Sequence, residues 1–162
     1  MIRPLKLALF ALLLVGIIPV AFAETRYIKT VEGEFEDVFF DLQDNIVNLG
    51  LVVERTGDIG QMLERTAKAV TGTDSGNSAT YNHAKYLLFC SSKITFKATS
   101  ADPRNLSICP FIVYAFATKK TPDKISLGYR NPDLGTLKPS DPLYIEIHAF
   151  LKKLIDTTIA DY

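Results

Sequence analysis

Hydrophobic and polar positions recur along this chain with two periods, and the period changes from one segment to the next. Arg26 to Val31 alternates with the two-residue period of a short strand. From Phe35 the apolar residues recur with helical spacing as far as Gly50, which predicts a helix that ends on a glycine cap. Its apolar stripe consists of Phe35, Val38, Phe39, Leu42, Ile46 and Leu49.

A second strand is predicted to begin at Leu51. Asp58 followed by Gln61 is typical of a helix start, and the helix that it opens runs to Gly72. Residues 71–82, TGTDSGNSATYN, are rich in small and polar residues and predict a surface loop. Such a loop is either a functional lid or a plain insertion, and the plain interpretation is the default.

The next segment predicts a strand over residues 84–90 and a short helix capped by Ser91 or Ser92, which must end before Pro103. Residues 111–118 (FIVYAFAT) are apolar on both faces, which indicates a central strand or one that a partner covers on its second face. Residues 125–130 (ISLGYR) alternate cleanly and complete a predicted hairpin.

The hairpin connection over residues 119–124 places its turn at Pro122-Asp123. A proline-rich connector follows over residues 131–142, and the chain closes with a predicted amphipathic helix. The apolar stripe of this last helix consists of Ile147, Leu151, Leu154, Ile155 and Thr158.

The first 23 residues differ from the rest, because 18 of them are hydrophobic. Two basic residues precede an apolar stretch from Leu7 to Ile18, Pro19 follows it, and Ala21-Phe22-Ala23 offers a cleavage site. This layout predicts a signal peptide over residues 1–23, with an uncleaved anchor as the alternative. Under either interpretation we expect export, to the periplasm of a Gram-negative host or to the extracellular space.

Without this leader, the remaining chain is an ordinary soluble domain, with roughly 43% hydrophobic residues. The whole chain has 18 basic and 18 acidic side chains, so loss of the two basic residues in the leader leaves a net charge of about −2. The length excludes a multidomain enzyme. The charge gives no sign of nucleic-acid binding.

Cys90 and Cys109 are the only cysteines, and an even count in an exported protein favours a bridge. A parallel crossover would hold the two sulfurs roughly 15–20 Å apart, whereas antiparallel strands would bring them to the same end of the sheet. Unpaired thiols and a redox-active or metal-binding pair remain the alternatives, although the spacing is not C-x-x-C.

Four pieces of the sequence resemble the family known as domain of unknown function 302: FEDVFFDLQDNIVNLGLVVE, YLLFCSS, ICPFIVYAF and ISLGYRNP. The resemblance covers residues 35–132. Its most specific positions are Cys90, the pair Cys109-Pro110, and Pro132.

This resemblance implies an α+β fold, a TBP-like β-α-β(4)-α arrangement with helices packed on one face of an antiparallel sheet. It implies the antiparallel order that permits a bridge, and self-association. Residues 24–34 add an N-terminal strand, and residues 133–162 add a proline-containing connector and a C-terminal helix. The family is uncharacterised, so the resemblance implies no reaction.

Few side chains stand out as reactive. The spacing of His83 and His148 matches no metal motif, and no nucleophile elbow, phosphate loop or dinucleotide glycine pattern is present. Aromatic residues fall mostly on predicted strands, where packing is the default and ligand stacking the alternative. We single out Tyr81, His83 and Tyr129 as candidates to face a ligand.

The sequence therefore favours an exported, non-enzymatic binding or assembly module, which holds a small ligand or self-associates through its sheet. We expect no cofactor and no metal ion. The partners expected are a second copy, an unidentified small molecule or another exported protein, with membrane attachment only if the leader is uncleaved. The alternative is a periplasmic thiol-redox or metal-binding protein centred on Cys90 and Cys109.

Overall fold

The computed structural model describes residues 26–72, 80–130, 132, 137–160 and 162. The leader over residues 1–23, part of the polar loop and part of the connector lie outside the described residues.

Within these ranges, five strands form one antiparallel sheet in the order β1-β5-β4-β3-β2. The strands are β1 (Arg26–Glu32), β2 (Val53–Asp58), β3 (Tyr81–Phe89), β4 (Phe111–Thr118) and β5 (Thr121–Arg130). The helices are α1 (Phe35–Asn48), α2 (Ile59–Thr71), α3 (Ser92–Ala101) and α4 (Pro142–Ile159), with a 3-10 helix over Pro103–Ile108. The α+β fold, an antiparallel sheet with packed helices and a C-terminal helix, is confirmed. The expectation that the helices pack on one face holds for α1 and α4 and not for α2, whose Ile59 and Leu63 lie against the other face.

Helices α1 and α4 cover one face of the sheet. The apolar stripe of α1 begins at Phe35 as predicted, and two acidic residues, Glu36 and Asp37, lie in its first turn, where the helix dipole favours them. Gly50 follows the helix with φ of 75°, a left-handed conformation that glycine adopts without a Cβ clash. The predicted stripe of α4 is also buried: Ile147, Leu151, Leu154, Ile155 and Thr158.

The core lies between these two helices and the inward side chains of the strands. Central strand β4 contributes every second residue to it: Phe111, Val113, Ala115 and Ala117. Ile125, Leu127 and Tyr129 from β5 and Leu87 and Phe89 from β3 extend the same layer. The clean alternation predicted for β5 is thus the pattern of a strand with one covered face.

Two helix starts follow the sequence prediction. The Asp58 carboxylate accepts a hydrogen bond from the Gln61 backbone N–H at 2.8 Å, which caps α2. Ser91, rather than Ser92, caps α3, because its hydroxyl accepts a bond from the Ile94 N–H at 3.4 Å.

The hairpin turn differs from the prediction. The turn lies at Lys119 and Lys120, and Pro122-Asp123 belongs to β5. Pro122 is tolerated there because the pairing of β4 and β5 is irregular between Ala117 and Thr118, where its missing N–H interrupts no regular ladder.

Two other boundaries also move. β2 begins at Val53 rather than Leu51, and β3 begins at Tyr81, inside the segment predicted to be loop. Tyr81 pairs with Thr118, and a register shift before His83 makes this end of β3 irregular. A bulge of this kind hides the strand from a search for strict alternation.

Candidate ligand-binding site

Helices α1 and α4 cover the first face of the sheet, whereas the second face is covered only in part, by the start of α2. On β4 the outward residues are Ile112, Tyr114, Phe116 and Thr118, and all of them keep some exposure. Tyr86 lies beside Tyr114 on the neighbouring strand, and Gly128 lies beside it on the other side. We call this surface the open face.

A cavity of about 420 Å³ lies on the open face, between the sheet and the first turns of α2. Helix α2 contributes Ile59 and Leu63, which lie one turn apart on the same side of the helix. The strands contribute the other side, and its main side chains are Arg26, Ile28, Tyr81, Ala84, Tyr114 and Phe116.

The aromatic side chains of the cavity touch one another. The rings of Tyr81 and Phe116 meet edge to face with centroids 5.6 Å apart. Phe116 and Tyr114 stack at 6.4 Å with 22° between their planes. Edge-to-face and stacked ring pairs are both favoured by the ring quadrupoles, and they fix the positions of the aromatic side chains that form this wall of the cavity.

Two glycines give the tyrosines of the open face their positions. A Cβ at Gly128 would lie 2.9 Å from the Tyr114 hydroxyl oxygen, and a Cβ at Gly57 would lie 2.2 Å from the Tyr86 ring. Each glycine therefore leaves room for a tyrosine from the adjacent strand to lie across the sheet. The Tyr114 hydroxyl reaches over β5 toward β1, the strand that carries Arg26.

Burial dominates the electrostatics of Tyr114 and raises its pKa above the ordinary value of 10.0. The nearby charge of Arg26 acts in the opposite direction, and Tyr81 adds to the increase. Tyr114 is therefore a neutral phenol at physiological pH. Its side chain lines the cavity together with Arg26, whose guanidinium is permanently charged.

The structure separates the three residues predicted to face a ligand. Tyr81 lines the cavity. His83 lies on the covered face, where its ring stacks on Phe35 with centroids 4.7 Å apart. Tyr129 is 0% exposed and belongs to the core, so the three do not converge.

Tyr129 instead anchors α4 to the sheet. Its hydroxyl lies 2.8 Å from Nδ1 and 3.2 Å from the carbonyl oxygen of His148. Its ring stacks with Tyr27 at 5.5 Å, and the Tyr27 hydroxyl donates to the Asp156 carboxylate. Burial raises the pKa of Tyr129 strongly. This cluster joins β1 and β5 to the last helix, and it lies on the opposite face from the cavity.

Cys90 and Cys109 are joined by a disulfide with a Cα–Cα distance of 5.4 Å. Cys90 follows β3 and Cys109 precedes β4, and the two strands are antiparallel neighbours whose last and first residues, Phe89 and Phe111, are paired. This is the arrangement that permits a bridge. Of the two family-motif prolines, Pro110 is exposed between Cys109 and β4, and Pro132 is buried just after β5.

The described residues contain no cluster of three His, Cys, Asp or Glu side chains placed to hold a metal ion. In the same part of the chain, no helix combines the length and the apolar character needed to cross a bilayer.

No protein-family model and no curated protein matches this sequence. A solved structure does match, the "Crystal structure of uncharacterized conserved protein DUF302 from Bacillus stearothermophilus", with a TM-score of 0.61 and 15% sequence identity. This chain resembles that DUF302 protein in fold. The match covers 85% of this chain and 97% of the other.

The coverage exceeds the segment from Phe35 to Pro132, so the likeness to DUF302 also includes residues outside the predicted family core. An identity of 15% supports a shared fold and carries no residue role. The DUF302 protein is itself described as uncharacterised.

Arg26 and Tyr114 are two of the cavity residues that the sequence analysis does not single out as candidates to face a ligand. Tyr114 lies in a run that is apolar on both faces, and Arg26 begins an edge strand, where a polar residue is ordinary. The sequence contains one indication of this site, the FIVYAFAT strand, which is apolar on both faces. A second apolar face is expected to contact something other than the core.

Proposed function

We propose that this protein is an exported, non-enzymatic module that binds a small, largely apolar molecule in the cavity of the open face. The observation that carries the proposal is the cavity itself, bounded by an aromatic wall on the sheet and by Ile59 and Leu63 on α2. Small-molecule sites are concave and mostly apolar, with a few polar groups that fix orientation.

The lining side chains are suited to binding rather than to bond cleavage. Phe116, Ile59 and Leu63 supply apolar surface, and the tyrosines supply neutral phenols. Lys85 also borders the cavity, but its Nζ lies against the Glu36 carboxylate at 2.7 Å and over the Phe39 ring on the covered face. It is therefore held away from a ligand.

The uncharged fluorescent amine N-phenyl-1-naphthylamine tests the proposal, because its emission rises in an apolar site. We expect saturable binding to the mature protein. Phe116→Ala should weaken it about tenfold, because the variant removes one aromatic wall. Ile112→Ala is the matched control, on the same strand and face but outside the lining, and should leave binding unchanged. A lack of saturable binding, or equal losses in the two variants, would contradict the proposal.

Export is part of the proposal. Its support is the charged, apolar and small-residue layout of residues 1–23, together with the disulfide, which is a bond of oxidising compartments. Intact mass of the protein from the exported fraction of its host should show loss of the leader. Full-length protein recovered from the cytosol would overturn this part.

Self-association through the open face is a second candidate. Ile112 on central strand β4 is 51% exposed, although side chains on a central strand are ordinarily covered. We expect a dimer in sedimentation at micromolar concentration, and Ile112→Arg should shift it to monomer. A monomeric wild-type protein would remove this candidate.

The thiol-redox alternative has less support from the geometry. The disulfide joins two strands that are already hydrogen-bonded neighbours, which suits a structural bridge. Alkylation of the native protein without reductant, followed by mass measurement, should leave both sulfurs unmodified. Bridging that is lost in mild thiol reductant would favour the redox alternative, because structural bridges resist such conditions.

A further inference from the structure

We propose that the cavity of the open face selects a small aromatic acid, with its ring against Phe116 and Tyr81 and its anionic group at Arg26. This inference rests on the proposed function, since it names the class of molecule that the same cavity binds. A planar ring that carries one carboxylate, sulfonate or phosphate group is the chemistry in question.

The shape of the cavity favours a ring. One wall is the edge-to-face pair of Tyr81 and Phe116, and the other is the aliphatic surface of Ile59 and Leu63. Leu63 is still 38% exposed, so its apolar surface is available to a ligand that enters between helix and sheet. A flat aromatic body would be in contact with apolar atoms on both sides.

The charge of the cavity favours an anion. Arg26 is exposed, and among the residues that the structure describes no carboxylate forms an ion pair with it. A guanidinium recognises carboxylate, sulfonate and phosphate oxygens through paired N–H donors. The cavity therefore has a fixed positive charge at one end and aromatic surface at the other.

The Tyr114 hydroxyl adds a hydrogen-bond donor at the end of the cavity where Arg26 lies. This hydroxyl lies across Gly128 and close to Ile28, on the strand that carries Arg26. A phenol is protonated at neutral pH, and burial raises the pKa of Tyr114 further, so its O–H group donates to an anion rather than repelling it. Arg26 and Tyr114 together form a mixed charged and neutral donor pair.

Two naphthalene probes with the same ring skeleton test the inference. The anionic probe is 1-anilinonaphthalene-8-sulfonate, and the neutral probe is N-phenyl-1-naphthylamine, which lacks only the sulfonate. Wild-type protein should bind the sulfonate about tenfold more tightly than the neutral amine at low salt, and added salt should narrow this difference.

Arg26→Gln should lower affinity for the sulfonate about tenfold and leave affinity for the neutral amine unchanged. Arg55→Gln is the matched control, since Arg55 is an exposed arginine on β2 beside Leu88, outside the cavity lining. It should change neither affinity. Tyr114→Phe should weaken only the sulfonate, by about threefold.

The possible outcomes separate the two claims. If neither probe binds, both the proposed function and the aromatic-acid inference fail. If both probes bind with equal affinity, or if Arg26→Gln weakens them equally, the cavity is a binding site but does not select anions. Equal losses in the Arg26 and Arg55 variants would show a general charge effect and would also overturn the inference.

Discussion

The two faces of the sheet are built from the same strands but have different roles. On β4, Val113 and Ala115 lie under α1 and α4 with almost no exposure. Tyr114 and Phe116, which alternate with them along the strand, border a cavity on the other face. The covered face is held by close packing, where a lost methylene group leaves a void. The open face holds side chains whose surface is still available. Apolar character therefore contributes to stability on one face and leaves accessible apolar surface on the other.

The polar groups show the same contrast. The Tyr129 hydroxyl on the covered face is bonded to His148, so it satisfies a buried group within the protein. Tyr114 on the open face lines a cavity, and the charge of Arg26 is near enough to act on its pKa. A tyrosine that is already satisfied adds to stability, and one that is not can bind a ligand.

The largest expected difference is a packing difference between neighbours on β3. Leu87→Ala should lower the free energy of unfolding by about 3 kcal/mol, because Leu87 is fully buried on the covered face. Leu88→Ala, on the open face, should cost less than about 1 kcal/mol. Urea denaturation of the two variants measures the contrast. Equal losses would mean that the open face is covered in solution.

Alkaline pH should act next, through the buried tyrosines. Because burial raises the folded pKa of Tyr129 above its ordinary value of 10.0, Tyr129 stabilises the fold fully below that pH. The contribution is then lost as pH rises, since the unfolded chain releases the proton first. Unfolding free energy should therefore fall above about pH 10, by up to ~1.4 kcal/mol per pH unit for this group.

Tyr129→Phe should make this alkaline decline shallower, because phenylalanine does not titrate. The pKa values of Tyr27 and Tyr114 are also raised, chiefly by burial, so a smaller decline should remain. Urea denaturation at a series of pH values from neutral to alkaline gives the slopes. Identical slopes for the variant and the wild-type protein would contradict the assignment.

The smallest effect concerns the two hydroxyl groups at neutral pH. Tyr129→Phe should cost about 1 kcal/mol, because it leaves the His148 ring nitrogen without its 2.8 Å partner. Tyr114→Phe should leave stability within about 0.5 kcal/mol of wild type, because the Tyr114 side chain is partly exposed on the wall of the cavity. A larger loss in the Tyr114 variant would assign that residue to the core instead.

Much of the secondary structure could be predicted because it depends on local periodicity. The stripes of α1 and α4 repeat every three to four residues, and each predicted stripe is found buried apart from Leu49 at the end of α1. The predicted strand and turn boundaries are wrong where the local pattern is interrupted. The irregular pairing near Tyr81 and near Pro122 hid strand residues among turn-forming ones.

The candidate site was less predictable. Of the residues predicted to face a ligand, Tyr81 lines the cavity, whereas Tyr129 lies in the core. In β4 every position from Phe111 to Ala117 is apolar, so the sequence shows no difference between its two faces. The packing of α1 and α4 selects one face as interior, and that choice depends on contacts far apart in the chain.

The sequence alone determined the order of the elements, the helical stripes and the two cysteines, because helix and strand periods are properties of neighbouring residues. Only the tertiary structure decided which sheet face stays open and which residues meet there. Arg26, Ile59 and Tyr114 come from three separate elements. Antiparallel pairing of β1 and β4 with β5 brings the Arg26 charge close enough to Tyr114 to act on its pKa. The cavity depends on such distant contacts, and no local period records them.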